Sequence, residues 1–135
     1  MARILIAEDD DSVRAFVARA LAHAGHEVVE AEDGGIASEI MLDEAGRFDL
    51  LLSDIKMPVM DGIALALNVA GSWPGVTIVL MTAFADQRER AHGLDALIYD
   101  VIAKPFTLAA LVEKVGDALS GRPAEVVSMA RQAMG

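Results

Sequence analysis

The sequence predicts an α/β fold: a doubly wound parallel sheet of five strands in the flavodoxin-like order 2-1-3-4-5, built as five consecutive βα units. Three observations predict it. Short apolar runs, of the kind buried on both faces of a parallel sheet, recur five times and give way to polar or acidic residues. Between them lie stretches whose apolar residues recur at three- and four-residue steps, the mark of an amphipathic helix. The chain has 135 residues, 54% of them hydrophobic. A chain of this size removes about two-thirds of its unfolded surface from water, so one core suffices. Strict alternation calls for right-handed crossovers with helices on both faces of the sheet. Of the two strand orders that fit, the flavodoxin-like one is the commoner for so short a chain.

The first strand is Arg3-Ile4-Leu5-Ile6-Ala7. Asp11-Ser12 can cap a helix with Val13, Phe16, Val17, Ala20 and Leu21 on its inner face, closed by Gly25 just past its end. The second strand is Glu27 to Ala31. A turn at Asp33-Gly34-Gly35 follows, then a helix near Ile36 to Ala45 closed by Gly46. The third strand runs from Phe48 to Asp54, and the loop Ile55 to Gly62 leads into a helix over about Ile63 to Ala70. Trp73-Pro74-Gly75 turns into the fourth strand, Val76 to Thr82, and a helix spans about Asp86 to Leu94. The fifth strand is Tyr99 to Ala103, the last helix Thr107 to Leu119. Residues 1–120 are thus expected to form one domain and 121–135 a short tail without an output domain. The tail apolars Val126, Val127 and Met129 admit three readings: packed on the last helix, joined to a partner, or disordered.

A formal charge of −10 argues against nucleic acid, which demands an excess of Lys and Arg on at least one face. The chain has no cysteine, which excludes a disulfide framework and Cys-ligated metal centres. The apolar stretch at the N-terminus is too short for a signal peptide or a membrane span, so the expected compartment is the cytoplasm, with no membrane partner.

In this fold ligands bind outside the carboxyl ends of the strands. Those ends carry Glu8 and Asp9, Asp54, Thr82 and Lys104. The first and third strands are neighbours, so three carboxylates converge, and such a group takes up a proton or a cation. Magnesium, with manganese as a substitute, suits oxygen ligands and keeps waters that phosphate can replace. Lys104 adds a point charge and Thr82 a hydroxyl donor. Cation, lysine and hydroxyl are the stabilisers required by a phosphoryl-transfer transition state, whose charge spreads over three oxygens.

These residues resemble the receiver domain of bacterial two-component response regulators. The resemblance rests on Glu8-Asp9, on Asp54 within Ser53-Asp54-Ile55-Lys56-Met57-Pro58-Val59-Met60-Asp61-Gly62, on Thr82-Ala83 and on Lys104-Pro105-Phe106, and runs from about Arg3 to Leu119. It implies that Asp54 accepts a phosphoryl group from a phosphohistidine of a histidine kinase or histidine phosphotransferase. It also implies that Asp9, Asp54 and the backbone carbonyl of Lys56 ligate magnesium, with Glu8 acting through water, and that Thr82 and Lys104 bind the phosphoryl group. More narrowly, Ala7 to Asp11, Asp61 to Leu67 and Ala85 to Leu94 are similar to the stand-alone CpdR-type receivers of alphaproteobacteria. There the unphosphorylated form promotes delivery of cell-cycle proteins to the ClpXP protease, which would make ClpX or ClpXP a partner of a monomer or weak dimer.

The chain departs from the commoner pattern at the switch position three residues before the lysine, where Val101 replaces an aromatic. Tyr99 is expected on the same side of the strand. Lys56 and Phe84 flank the site, where their bulk and charge bear on water access. Asp10, Asp11 and Asp61 read as solvated loop residues, and His92 as surface or partner face. Met57, Met60 and Met81 read as packing. His23 and His26 lack a third ligand for a metal. Lys104-Pro105 is compatible with a cis bond that would aim Lys104 inward.

The resemblance thus implies a phosphorylation-dependent switch of a protein-interaction surface, which turns over no metabolite and catalyses only its own phosphorylation and dephosphorylation; two rivals and one variant stand beside it. A phosphohydrolase with an aspartyl nucleophile wants a second acid where Lys56 stands. A flavin module would set its phosphate against Glu8, Asp9 and Asp54. A receiver could also act only as a phosphate relay or sink.

Overall fold

The computed structural model describes residues 1–121, without the side chains of Ala85 and His92. The readings of His92 and of the tail apolars Val126, Val127 and Met129 lie outside the described residues. Ten elements alternate: β1 (Arg3–Ala7), α1 (Asp11–His23), β2 (Glu27–Ala31), α2 (Gly34–Asp43), β3 (Leu50–Asp54), α3 (Gly62–Ser72), β4 (Thr77–Thr82), α4 (Ala85–His92), β5 (Asp100–Ala103) and α5 (Leu108–Leu119). All four strand pairs are parallel, in the order β2-β1-β3-β4-β5.

Successive side chains of a strand point to opposite faces, so a sheet covered on both sides needs apolar residues at every position. Ile4, Ile6, Leu50, Leu52, Val79, Met81 and Ile102 face one layer, where Val17 and Leu21 of α1 meet Leu111 and Val115 of α5. Leu5, Ala7, Leu51, Ile78, Leu80 and Val101 face the other, against Ala37 and Met41 of α2, Leu65, Ala66 and Val69 of α3, and Ala91 of α4. Burial of the large side chains among these stabilises the fold by about 1.5–3 kcal/mol each. The register pairs Ala7 with Ser53, Asp54 with Met81 and Thr82 with Ala103, which brings the carboxyl ends of the central strands level. That alignment places the site.

Several boundaries differ from the sequence expectation. The cap of α1 is Asp10, one residue before the expected pair; its side chain accepts from the amides of Ser12 and Val13 at 2.9 and 3.0 Å. Asp33 caps α2 by accepting from Ile36 N at 2.8 Å, so the expected turn at Gly34-Gly35 is already helix. β3 begins at Leu50 and β5 at Asp100, each later than the apolar run suggests. Gly25 closes α1 with φ +100, a conformation that favours glycine.

Gly116 lies in α5, exposed, with open space where a Cβ would stand. Gly116→Ala is expected to stabilise the protein by about 0.5–1 kcal/mol, since alanine loses less backbone entropy in a helix. A urea titration with an unchanged or lower midpoint would contradict this.

Candidate functional site

The site forms where four strands end. Glu8 and Asp9 follow β1; Glu8 is 1% exposed and Asp9 lies open to solvent. Asp54 is the last residue of β3 and is buried. Its strand passes directly into a loop in which Ile55 N donates to Met81 O at 3.0 Å and Gly62 N to Ile55 O at 2.7 Å. Gly62 sits so close that a Cβ there would stand 2.1 Å from the Asp54 carbonyl oxygen. Lys104 follows β5. Its amide donates to Thr82 O at 2.8 Å, and the bond to Pro105 is cis, as the Lys-Pro pair allows.

Glu8, Asp9 and Asp54 each present an oxygen within 4.8 Å of the others. The Lys104 ammonium reaches in from the fifth strand, 2.5 Å from Glu8 Oε1 and 3.3 Å from Asp54 Oδ1. Burial pushes the Glu8 carboxyl up from 4.5 to about 6, opposed by the Lys104 hydrogen bond and reinforced by the Asp54 charge. Burial likewise raises Asp54, against the pull of Lys104. For Lys104 burial acts downward, but its hydrogen bond to Glu8 and the charges of Asp54 and Glu8 outweigh it, and the ammonium is held above its usual value. Glu8 and Asp54 thus share one cation, and Asp9 stands beside them without a bond to it. The all-oxygen donor set of Glu8, Asp9 and Asp54, with Asp9 open to solvent, fits a hard divalent ion.

Of the sequence-predicted residues, Glu8, Asp9, Asp54 and Lys104 come together as expected. Thr82 is buried at the end of β4, and its hydroxyl oxygen accepts from Phe84 N at 3.1 Å, along its own loop. Lys56 is exposed, its ammonium 5.0 Å from the centre of the Phe84 ring. Tyr99 corrects the sequence reading: it precedes β5, packs against the α1–α5 layer, and so lies on the other face from Val101. Strand alternation does not reach a residue outside the ladder. Met57 and Met81 pack in the core, and Met60 packs against it. His26 Nδ1 accepts from Ala2 N, remote from any ligand set.

Sequence reasoning missed three things. Asp61, read as solvated, caps α3 by accepting from Ala64 N at 2.8 Å and pairs with Arg90 of α4 at 3.7 Å. The Glu8–Lys104 pair joins residues 96 apart in the chain, beyond the reach of any local pattern. Arg14, an ordinary helix-face arginine by spacing, bonds to the loop that carries Glu8 and Asp9. The only local signal for Asp61 was its place directly before a glycine and an apolar helix.

Residues 4–116 match the response regulator receiver domain family. The chain belongs to that family. This receiver is 39% identical over 115 residues to the response regulator receiver protein CpdR of Brucella abortus (strain 2308), covering 85% of this chain and 94% of that protein. To the response regulator MprA of Mycobacterium tuberculosis it is 34% identical over 113 residues, and it spans 48% of that relative's length. The receiver superposes with a TM-score of 0.76 on the crystal structure of TrrA from Thermotoga maritima in complex with Mg2+-BeF, at 28% identity and with 87% of this chain and 99% of that one covered. It is also similar to the receiver domain of the hybrid histidine kinase CckA, with a TM-score of 0.73, 34% identity, and 87% and 98% coverage. Two-component signalling is therefore its setting. Receiver domains bind Mg2+ at an acidic pocket and interact with histidine kinases or phosphotransferases. Among the described residues no helix is long and apolar enough to cross a membrane.

Proposed function

We propose that this receiver is a phosphorylation switch in which Asp54 accepts a phosphoryl group from the phosphohistidine of a kinase or phosphotransferase. The observation that carries the reading is the Asp54 carboxylate, 3.3 Å from Lys104 Nζ and within an oxygen cluster that opens to solvent at Asp9. An Asp54 oxygen attacks phosphorus, the P–N bond to the donor imidazole breaks, and an acyl phosphate forms. Asp9, Asp54 and the Lys56 carbonyl would hold magnesium, with Glu8 acting through water. Bound magnesium supplies positive charge to the phosphoryl oxygens. Lys104 exchanges its bonds to Glu8 and Asp54 for one to a phosphoryl oxygen. The Thr82 hydroxyl leaves the Phe84 amide for another, drawing the β4–α4 loop inward. An added charge of about −1.5 to −2 thereby biases the face made by α4, β5 and α5. The similarity to CpdR over most of its length supports the further reading that this face regulates ClpXP-dependent proteolysis.

Incubation with Mg2+ and acetyl phosphate, followed by intact mass, is expected to show one phosphoryl adduct on the wild type and none on Asp54→Asn or with EDTA. A wild type that stays unmodified, or an Asp54→Asn adduct of equal yield, would overturn the switch. Repeated turnover of ordinary phosphomonoesters would favour the phosphohydrolase. For the proteolytic output, immobilised ClpX should retain wild type and Asp54→Ala differently after acetyl phosphate treatment; equal retention would count against it.

A further inference from the structure

We propose that Arg14 is a positioning residue for the divalent-cation site, holding the loop Glu8-Asp9-Asp10 in the conformation that receives the ion. The inference rests on the metal reading above.

Three residues turn the chain from β1 into α1. Hydrogen bonds pin both flanks of Asp9. Glu8 N donates to Ala31 O at 3.1 Å, Asp10 N to Glu8 Oε2 at 3.3 Å, and Arg14 N to Asp10 O at 2.9 Å. The carbonyl of Glu8 lies one residue beyond the last ladder pair of β1, where no strand supplies a donor. Arg14 Nη1 donates to it at 2.9 Å. The same guanidinium donates through Nη2 to Asp11 Oδ1 at 2.7 Å and lies with Nε 3.5 Å from Glu30 Oε1 on β2. With its side chain only 13% exposed, Arg14 ties the loop, the first turn of α1 and the edge strand into one rigid fork.

The bond fixes the orientation of the Glu8–Asp9 peptide. Rotation of that plane would swing the Asp9 carboxylate away from the oxygens of Glu8 and Asp54, which it must approach to share an ion. Charge alone predicts the opposite outcome. Arg14 is a cation beside an acidic cluster, so its removal would strengthen the attraction for a second cation. The sign of the effect therefore separates positioning from electrostatics.

The test is titration of the full chain with Mn2+, with the free ion followed by its electron paramagnetic resonance signal, for wild type, Arg14→Gln and Arg14→Lys. Both variants are expected to bind Mn2+ about tenfold more weakly or worse, a typical effect of losing a residue that orients metal ligands. Lysine keeps the charge but cannot span the fork. Metal-free circular dichroism melts establish that each variant is folded at the titration temperature. Tighter or unchanged binding by Arg14→Gln would overturn the proposal, and if that variant does not fold, unchanged binding by Arg14→Lys does so. A wild type that binds no Mn2+ would instead remove the metal reading on which the proposal stands.

Discussion

Lys104→Gln is expected to destabilise the protein by about 3 kcal/mol at pH 7, because it leaves two buried carboxylates without their cation. The low end of the range for buried pairs applies, since the lysine side chain keeps 19% of its exposure. The loss should shrink on acidification. Glu8 already sits at about 6 against an ordinary 4.5, and without the lysine hydrogen bond that holds it down it rises further. A carboxyl whose folded pKa is raised contributes its full stability below the unfolded value and loses it as pH rises through the folded one. Between pH 7 and pH 5 the variant should therefore recover more stability than the wild type. Urea denaturation at both pH values checks this; an equal deficit at each would mean that Glu8 and Asp54 do not depend on Lys104. Glu8→Gln combined with Lys104→Gln should restore much of the loss at pH 7, since one of the unpaired charges is then gone.

Gly62→Ala is expected to abolish the native loop or to cost several kcal/mol. A Cβ at this position would stand 2.1 Å from the Asp54 carbonyl oxygen and 2.9 Å from Ile55 Cα. Both neighbours are backbone, so neither can move aside as the end of a long side chain would. Relief requires shifting the Asp54–Ile55 peptide, which carries the phosphoacceptor candidate and the bond from Ile55 N to Met81 O. Acetyl phosphate labelling should fall together with the melting temperature. Gly116→Ala serves as the matched control, since it changes the same atoms in open space. If Gly62→Ala melts and labels like wild type, the close approach of α3 to the end of β3 is not as tight as the geometry implies.

The strands were the most legible part of the chain. Burial on both faces requires apolar residues at every position, and runs such as Ile4-Leu5-Ile6 and Leu50-Leu51-Leu52 leave few alternatives. Caps were less legible. Asp10, Asp11 and Ser12 are all good caps, and the choice of Asp10 depends on where β1 stops and which residues of α1 must meet the sheet. Tyr99 was misplaced because period-two alternation holds only within the ladder, and β5 starts one residue later. Asp61 was missed because a capping aspartate and a solvated one have the same local appearance until its partner helix is in place.

For the candidate site, the residue types were readable because each lies at the end of a strand, and strand ends are local features. Five short strands alternating with helices already imply a parallel sheet with its ligand at the carboxyl edge, whatever the details of packing. Distances are another matter. Which carboxylate Lys104 meets, which way the Thr82 hydroxyl turns, and how Arg14 closes over the Glu8 carbonyl depend on register between strands and on helices brought together from distant parts of the chain. Local sequence records propensity and chemistry, but it carries no term for contacts across 96 residues. Those contacts arise only when the sheet order sets the ends of β1, β3, β4 and β5 side by side, and it is there that the site acquires its charge balance.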